Sequence, residues 1–324
     1  MGAECLSAGA GQVRGRPMSP APPRTAPSLT FPCLTGNPGR WQTLLQAPAV
    51  GVLLLWMLLP LGMTIYFSFI RYSLLNPDLH GFAGLGNYRF LWQDPSFFPA
   101  IVNTVVLIGS VLGITVGLGT LLAVLYDRRF FGRNAATLLA IAPFFVMPTV
   151  SALVWKNMLM HPVYGLLARA FVALHLTPID WFGRFPMLSL IIILSWEWLP
   201  FAFLILYTSL KSLDREQREA ALIDGARPTQ LFFHITIPHL RRALGVVVMI
   251  ETIFLLSVFA EIYTTTSGGP GTATTNLAYL VYSLGLQQFD VGIASAGGIL
   301  AVILANVVAV FLVRVLGRSL KGAG

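Results

Sequence analysis

Glutamate residues inside apolar stretches are the side chains of this sequence with the clearest chemical potential, because a buried carboxylate is costly unless it is paired or faces water. They are Glu197, Glu251 and Glu261. Glu197 is flanked by Trp196 and Trp198. An aromatic face packs against C–H groups and a carboxylate accepts hydrogen bonds from hydroxyl groups, so these three residues could bind a sugar or a polyol. The alternative is a structural carboxylate that is hydrogen-bonded to a neighbouring helix.

The spacing of Glu251 and Glu261 argues against a catalytic carboxylate pair. Ten helical residues turn a side chain to roughly 80° from the starting face and displace it by about 15 Å. The two carboxyl groups of a glycosidase lie within about 10 Å of each other. We therefore interpret Glu251 and Glu261 as candidates for lining a solute pathway, with Glu251 the deeper of the two. Asn103, at the outer end of another apolar stretch, is a further pathway candidate that could instead cap its helix.

Motifs for nucleotide hydrolysis and metal binding are absent from the sequence. The pattern G-x-x-x-x-G-K-[ST] does not occur, so this chain is not by itself a P-loop ATPase. The histidines are scattered, without H-E-x-x-H. The two cysteines, Cys5 and Cys33, form neither a disulfide framework nor a metal site. We expect no catalytic residue, no metal and no cofactor in this chain.

A polar segment, Asp214–Pro238, separates two long apolar runs and contains a short, well-delimited helix. Asp214 can act as the N-cap, Gln217 stands at the capping-box spacing, and Gly225 followed by Pro228 ends the helix. A helix of about ten residues, roughly 15 Å long, is too short to be stable alone in water. The whole segment is also longer than a connector between membrane helices requires. It is either a docking helix for a partner or a passive surface helix.

The composition is that of a membrane protein. Hydrophobic residues make up 56% of the chain and charged residues 10%, against about a quarter charged residues in soluble domains. Residues 1–40 are rich in Gly, Pro and Ser, and we predict a disordered tail there, or alternatively a basic tail that contacts lipid headgroups. Residues 41–324 are predicted to form an all-α membrane domain, because lipid offers no partner to an unsatisfied backbone amide. Its six predicted membrane spans are Leu44–Ile70, Ala100–Tyr126, Ala136–Leu159, Met187–Leu210, Ala243–Thr264 and Val291–Leu316.

The distribution of positive charge predicts the orientation of these spans. Of the 21 Lys and Arg residues, sixteen lie in the N-terminal tail, in the loops after spans two and four and at the C-terminus, and five lie on the opposite side. Since the positive-inside rule assigns the richer side to the cytosol, both termini and the segment Asp214–Pro238 are predicted to be cytosolic. This asymmetry accounts for the net charge of +8 without nucleic acid as a partner.

Small residues and prolines predict how two of the spans are shaped. Gly109, Gly113 and Gly117 line one face of span two, a spacing that favours close contact with another helix. Pro143 and Pro148 predict a kink in span three.

The polar segment carries the pattern E-A-A at 219–221, D-G-A at 224–226 and Ile237-Pro238 near its end. This pattern resembles the EAA loop of ABC-transporter membrane permeases, with the departure that leucine is commoner at the position of Ile237. In that family the loop forms coupling helices that sit in a groove of the cytosolic ATPase subunit. The resemblance therefore implies ATPase-coupling roles for Glu219, Ala220, Ala221, Asp224 and Gly225.

The resemblance extends over nearly the whole chain after residue 40. The strings GLGNY in the first outer loop, SLDREQ before the polar helix and VFAEIYTTTSGGPGTATTNLAYLVY after span five are similar to those of carbohydrate permeases of the maltose-permease type. Among these, the sorbitol and mannitol permeases are the most similar subgroup. The resemblance implies a six-span fold with both termini in the cytosol, in the bacterial inner membrane.

This resemblance implies a membrane-spanning permease subunit of an ATP-driven, binding-protein-dependent importer of sugars or sugar alcohols, with sorbitol or mannitol as the expected solute. The implied partners are a second permease subunit, a dimer of ATPase subunits that bind the ATP, a solute-binding protein and the lipid bilayer. One alternative is an ion-gradient-driven secondary transporter or channel for a small polar solute, in which Glu197 and Glu251 relay protons. A membrane enzyme or a non-transporting scaffold is the other.

Overall fold

The structure is a computed structural model that describes residues 40–76, 78, 81–128 and 130–321, with the backbone alone for residues 40–45, 215, 218, 313 and 315–321. The predicted tail, residues 1–40, lies outside the described residues except for Arg40. The chain divides into a unit that ends at Leu55, of which the first part of one helix is described, and a second unit that begins at Trp56.

The described residues are mostly helical, with a single short antiparallel strand pair among them in which Ile70 lies opposite Phe82. In chain order the elements are α1 (Arg40–Ser68), β1 (Ile70–Arg71), β2 (Gly81–Phe82), α2 (Gly86–Gln93), α3 (Phe97–Asp127), α4 (Arg133–Ile141), a 3-10 turn (Ala142–Phe145), α5 (Pro148–Leu153), a π-helical turn (Val154–Leu159), α6 (Leu166–Ala173), α7 (Trp181–Arg184), α8 (Pro186–Lys211), α9 (Arg215–Ile223), α10 (Pro228–Leu231), a second π-helical turn (Phe232–Thr236), α11 (Ile237–Leu256), α12 (Ala260–Thr265), α13 (Leu277–Tyr282), a third π-helical turn (Ser283–Gln287) and α14 (Val291–Lys321).

Four helices of the described chain are long and apolar enough to cross a membrane. They coincide with predicted spans one, two, four and six and cover Gln46–Ser68, Phe97–Asp127, Pro186–Lys211 and Val291–Leu312. The bent pair Arg133–Phe145 and Pro148–Leu159 is a fifth candidate if the pair is counted as one span. The helix in the position of predicted span five, α11, carries Arg241, Arg242 and Glu251 and is not in this group. The arrangement with six spans therefore stays a prediction.

Two predicted spans are interrupted rather than continuous. Span three bends by 99° between its two halves, and Pro143 and Pro148 lie at the break, so the kink predicted from these prolines is confirmed. Span five, predicted as one helix over Ala243–Thr264, is split, because α11 ends at Leu256 and α12 begins at Ala260. The Val258 carbonyl exposed by this break accepts a hydrogen bond of 2.6 Å from the Asn276 amide.

Helices α3 and α8 pack closely along their length, and α11 packs against both of them. At the end nearer to α9, their shared core contains the fully buried side chains of Phe203, Leu206, Leu240 and Val247. The backbones of α3 and α8 come close at Gly119, where an added Cβ would lie 3.0 Å from the Ala202 Cβ and 3.2 Å from the Phe203 backbone nitrogen.

The glycine stripe predicted to make this contact does not make it within the chain. At Gly109, Gly113 and Gly117 an added Cβ would meet no described atom within 4 Å. Glycines four residues apart make one helix face smooth, but the position of the neighbouring helix decides which glycine is used. Here α8 approaches α3 near the C-terminal end of α3, at Gly119.

Asn87 of the predicted outer-loop element GLGNY fixes the end of α1. Its buried side-chain amide donates hydrogen bonds of 2.9 Å to the carbonyl groups of Ser68 and Ile70. The Tyr88 hydroxyl donates to the Ser68 hydroxyl, at 2.9 Å. These bonds satisfy carbonyl groups that the end of a helix leaves without intrahelical partners.

Candidate functional site

Helix α9 is held at both ends by local hydrogen bonds. At its start, the Asp214 side chain accepts a hydrogen bond of 3.0 Å from the Glu216 amide, which confirms the predicted N-cap. The predicted helix reached Asp224, and the observed one ends at Ile223 with Asp224 as its C-cap.

The C-terminal end of α9 has the pair of hydrogen bonds that defines a Schellman motif. The Ala226 amide donates to the Ala221 carbonyl at 3.0 Å, and the Gly225 amide donates to the Leu222 carbonyl at 3.1 Å. Gly225 has φ of +81°, a conformation that glycine adopts without the steric penalty that other residues pay. Asp214 and Gly225 therefore determine the length of this helix.

The surface of α9 is open. None of its residues with a described side chain is buried, and Glu219 and Ala220 are exposed. The two large apolar residues at its end, Leu222 and Ile223, are 53% and 86% exposed. Beside the end of α9 lies a cleft of about 410 Å³, lined by Asp224, Gly225, Ala226, Gln230, Leu231, His234 and Ile235. The exposed Ile223 side chain and the neighbouring cleft could together contact a partner protein.

A short non-helical turn at residues 224–227 joins α9 to an unbroken helical run that begins at Pro228. After Gly225, α10 leads through the π-helical turn at Phe232–Thr236 directly into α11. The His239 ring nitrogen Nε2 lies 2.9 Å from the Ser209 carbonyl and so links the start of α11 to the end of α8. This contact ties the helical run that follows α9 to the end of α8.

The second candidate region is an aromatic cluster at the break in span three. Trp198 lies at its centre, with ring centroids 6.1 Å from Phe144, 6.0 Å from Phe201 and 5.2 Å from Phe254. The rings of Phe144 and Phe201 are nearly parallel, with centroids 5.9 Å apart. Phe144 comes from the 3-10 turn, Trp198 and Phe201 come from α8, and Phe254 comes from α11. Phe144 and Phe254 are exposed, so the cluster presents aromatic surface.

Glu197 is buried next to this cluster. It is 7% exposed, and its Oε2 atom has no hydrogen-bond partner among the described residues. Glu261 of α12 is 4% exposed and lies close enough for the charges of the two carboxylates to interact. The flanking Trp196 points to a different neighbour, because its ring lies 5.8 Å from Trp155 in the π-helical turn of span three. The two tryptophans that flank Glu197 in sequence therefore contact different partners: Trp196 packs against Trp155, and Trp198 packs in the aromatic cluster.

Glu251 occupies a separate position, against α3. It is fully buried, and its Oε2 atom accepts a hydrogen bond of 2.7 Å from the Thr115 hydroxyl. Its other oxygen, Oε1, has no partner within the described part of the chain. The Glu251 side chain is thus enclosed in this conformation, and Phe254 of the Trp198 cluster lies one turn further along the same helix.

Asn103, the remaining pathway candidate, holds the outer loop. Its side-chain amide donates to the carbonyl groups of Thr272 and Thr275, at 2.8 and 3.0 Å. The adjacent Thr104 hydroxyl accepts a hydrogen bond of 3.1 Å from the Leu277 amide. The donor groups of Asn103 are thus engaged in positioning the segment between α12 and α13.

The structure brings Trp198 together with three aromatic residues that the sequence did not single out, namely Phe144, Phe201 and Phe254. Glu197 precedes Trp198 on α8 and lies close to Glu261. Phe201 was accessible to sequence reasoning, because it lies three residues after Trp198 and hence on the same side of α8. Phe144 and Phe254 come from elements far away in sequence. Among the described residues there is no group of three or more His, Cys, Asp or Glu side chains that could hold a metal ion.

The described chain combines long apolar helices, an interrupted span and an exposed short helix between two long ones. A bacterial alginate ABC transporter, solved in complex with an alginate pentasaccharide-bound periplasmic protein, has the same fold in one chain. The TM-score is 0.72 at 23% identity, covering 86% of this chain and 94% of that one.

Residues 106–322 match the family described as binding-protein-dependent transport system inner membrane component, and the chain belongs to this family. The matched segment contains α9, Glu197 and Glu251. The chain is therefore a membrane-spanning permease component of a transport system, as the sequence analysis predicted, and not the component that hydrolyses ATP.

Two curated relatives show the same membership. The probable ABC transporter permease protein y4oQ of Sinorhizobium fredii is 33% identical over 251 residues, which are 77% of this chain and 81% of that protein. The trehalose/maltose transport system permease protein MalF of Thermococcus litoralis is 33% identical over 266 residues, which are 81% of this chain and 88% of that protein.

Proposed function

We propose that this chain is the permease subunit of an ATP-driven importer for sugars or sugar alcohols, with sorbitol or mannitol as the expected solute. Two features found together in one member of this family carry the proposal. The first is the exposed helix α9, whose two ends are fixed by hydrogen bonds. The second is the aromatic cluster around Trp198, with Glu197 beside it, in the membrane-spanning part. The first feature suits coupling to a motor, and the second suits a polyhydroxy solute.

The chemistry of the cluster supports a neutral solute with many hydroxyl groups. The ring faces of Trp198, Phe144 and Phe254 offer surface to C–H groups, and the unpartnered Oε2 of Glu197 can accept a hydroxyl hydrogen. Buried unpartnered acceptors are costly in an empty site, and a ligand hydroxyl removes that cost. A sugar transporter among the relatives, the trehalose/maltose permease, supports the same solute class. The narrower assignment to sorbitol or mannitol is supported by the sequence resemblance.

Coupling to ATP hydrolysis is proposed to occur at α9. The exposed positions Glu219, Ala220 and Ile223 and the cleft beside Gly225 would receive the cytosolic ATPase subunit, which binds the ATP. Two such subunits, a second permease subunit and a solute-binding protein complete the proposed transporter. The charge asymmetry supports six spans with both termini in the cytosol, which puts α9 on the side where ATP is available.

The proposed mechanism is alternating access. Closure of the ATPase subunits displaces α9, and the short turn at residues 224–227 passes the displacement to the helical run from Pro228 into α11. Because α11 carries Phe254 and Glu251 and contacts α8 through His239, this motion changes the geometry of the aromatic cluster. The site thereby opens to the outer side when ATP is bound and to the cytosol afterwards.

Buried Glu197, Glu251 and Glu261 favour one competing function, a transporter driven by an ion gradient.

The test is to measure which ligands the cognate solute-binding protein binds, among sorbitol, mannitol, maltose and trehalose. Uptake of the tightest ligand is then measured in vesicles with ATP, with and without a protonophore. We expect uptake that requires ATP and the binding protein and continues with the protonophore. Uptake that stops when the gradient collapses while ATP is maintained would overturn the proposal.

A further inference from the structure

A second aromatic cluster lies at the end of α11 that is remote from α9. The ring of Phe259 is nearly parallel to those of Tyr263 and Tyr279, with centroids 5.6 and 6.1 Å away. The Tyr282 ring is tilted against Phe259, at 4.6 Å, and meets the edge of Tyr263, at 5.4 Å. Tyr279 is buried and forms the base, whereas Tyr263 is exposed and Phe259 and Tyr282 are half-buried.

The polar groups around these rings have unused hydrogen-bonding capacity. The rings of Tyr263 and Tyr282 meet edge-on at 5.4 Å, and each phenol hydroxyl group can donate one hydrogen bond and accept others. The Gln287 amide accepts a bond of 2.9 Å from the Ser283 hydroxyl and donates one of 3.4 Å to the Tyr279 hydroxyl. One N–H of this amide therefore stays available.

The cluster is uncharged and is joined to the inner region. No Lys or Arg occurs in the sequence from Ala243 to Asp290, so the side chains of the cluster supply no counter-charge to an anionic ligand. Lys156, from the π-helical turn of span three, donates a hydrogen bond of 3.0 Å to the Thr264 carbonyl beside Tyr263. Phe259 and Tyr282 pack against the same buried core as Trp198. Helix α12 carries both Tyr263 of this cluster and Glu261, which lies close to Glu197.

We propose that Phe259, Tyr263, Tyr279, Tyr282, Ser283 and Gln287 form an outer binding site for a neutral polyhydroxy solute, distinct from the cluster at Trp198. This inference rests on the proposed function. Partly exposed ring faces with hydroxyl and amide groups at their edges match a ligand that presents C–H and O–H groups alternately. The solute released by the binding protein occupies this outer site first and then moves along α12 to the site at Glu197 and Trp198.

The direct test is photo-cross-linking in native membranes that contain the whole transporter and its binding protein. The photoreactive residue p-benzoyl-phenylalanine replaces Tyr263, or Trp198 for the inner site, or Tyr66 as a control, since Tyr66 is an exposed tyrosine of α1 outside both clusters. Radiolabelled sorbitol, mannitol and maltose are the probes. We expect labelling of the chain at positions 263 and 198 and none at position 66.

A second measurement uses variants that keep the rings. Tyr263→Phe with Tyr282→Phe removes two hydroxyl groups, each a hydrogen bond to the solute, so uptake at limiting binding protein should fall roughly five- to hundredfold. Tyr66→Phe should transport as the unaltered chain does. Immunoblotting of the membranes verifies equal amounts of each variant.

The outcomes separate the two proposals. Labelling at position 198 without labelling at 263, or a double variant that transports as well as Tyr66→Phe, overturns the outer site and leaves the proposed function intact. Absence of ATP-dependent uptake of every probe by the unaltered transporter overturns the proposed function itself. Labelling at both positions together with the reduced uptake supports both.

Discussion

Helix α9 and the aromatic cluster around Trp198 are built by opposite means. The ends of α9 are determined by neighbours in sequence, through the cap at Asp214 and the turn at Gly225, and its surface is open. The cluster is assembled from a 3-10 turn, α8 and α11, and its acid, Glu197, is buried. A helix of fixed shape with an open surface suits a contact that transmits force. A site assembled from three elements changes when those elements move, which is what a transporter requires of its solute site.

The largest effect on uptake is expected from Trp198→Ala. Loss of a central aromatic anchor typically costs about 2–4 kcal/mol, or roughly thirty- to thousandfold in affinity. We expect uptake to fall at least about thirtyfold, while ATP hydrolysis stimulated by the binding protein persists, because α9 is unchanged. Trp92→Ala is the matched control, since Trp92 is an exposed tryptophan of α2. Equal losses in both variants would remove Trp198 from the solute site.

The substitution Gly225→Val tests the C-terminal end of α9. A β-branched residue at φ +81° is strained by about 1–2 kcal/mol, so the end of α9 should change and uptake should fall about tenfold. Here we expect the stimulated ATP hydrolysis to fall together with uptake. Gly132→Val is the control, because Gly132 has φ of +77° and equally open surroundings among the described atoms but lies outside α9. If the two variants behave alike, backbone strain rather than loss of coupling explains the defect.

The substitution Glu197→Gln tests whether the buried carboxylate of Glu197 contacts the solute. The amide keeps the size of the side chain but converts one acceptor into a donor, so uptake should fall about three- to tenfold without loss of assembly. Glu251→Gln is the comparison, because Glu251 contacts Thr115 and has no exposed surface. Transport kinetics of Glu197→Gln equal to those of the unaltered chain would assign Glu197 a structural role.

The smallest effect on uptake is expected from Thr115→Val, which should act on stability. It leaves the buried Glu251 carboxylate without its described partner, at a cost of about 1–3 kcal/mol. Thr120→Val is the control on the same helix, since its hydroxyl donates to the Val116 carbonyl of its own helix. A lower midpoint of thermal unfolding in detergent for Thr115→Val than for Thr120→Val is the expected result, and equal midpoints would contradict it.

The two regions also differ in how far the sequence could predict them. The cap at Asp214, the turn at Gly225 and the kink between Pro143 and Pro148 all follow from residues next to one another, so local rules were sufficient. Glu197 and Trp198 could be singled out by type, because acids and clustered tryptophans are unusual in apolar runs. Their partners Phe144 and Phe254 could not, since many phenylalanines of the chain have the same sequence signal.

The incorrect predictions have the same physical origin. Span five was predicted to be continuous because its sequence is apolar throughout, yet the break at Val258 is stabilised by Asn276, eighteen residues away. The stripe of Gly109, Gly113 and Gly117 was predicted to contact a helix, whereas the contact within this chain falls at Gly119. In both cases a tertiary contact decides between local arrangements that the sequence alone leaves equivalent.

The central claim, that α9 receives force from a separate ATPase, is tested most directly by cysteine cross-linking in native membranes. The two natural cysteines, Cys5 and Cys33, are replaced by serine, and Ala220→Cys is introduced with Leu75→Cys as an exposed control on the predicted outer side. The account predicts a cross-link from position 220 to the ATPase subunit whose yield changes when a non-hydrolysable ATP analogue is added, and none from position 75. Absence of any ATPase cross-link from position 220, with the transporter assembled and active, would contradict it.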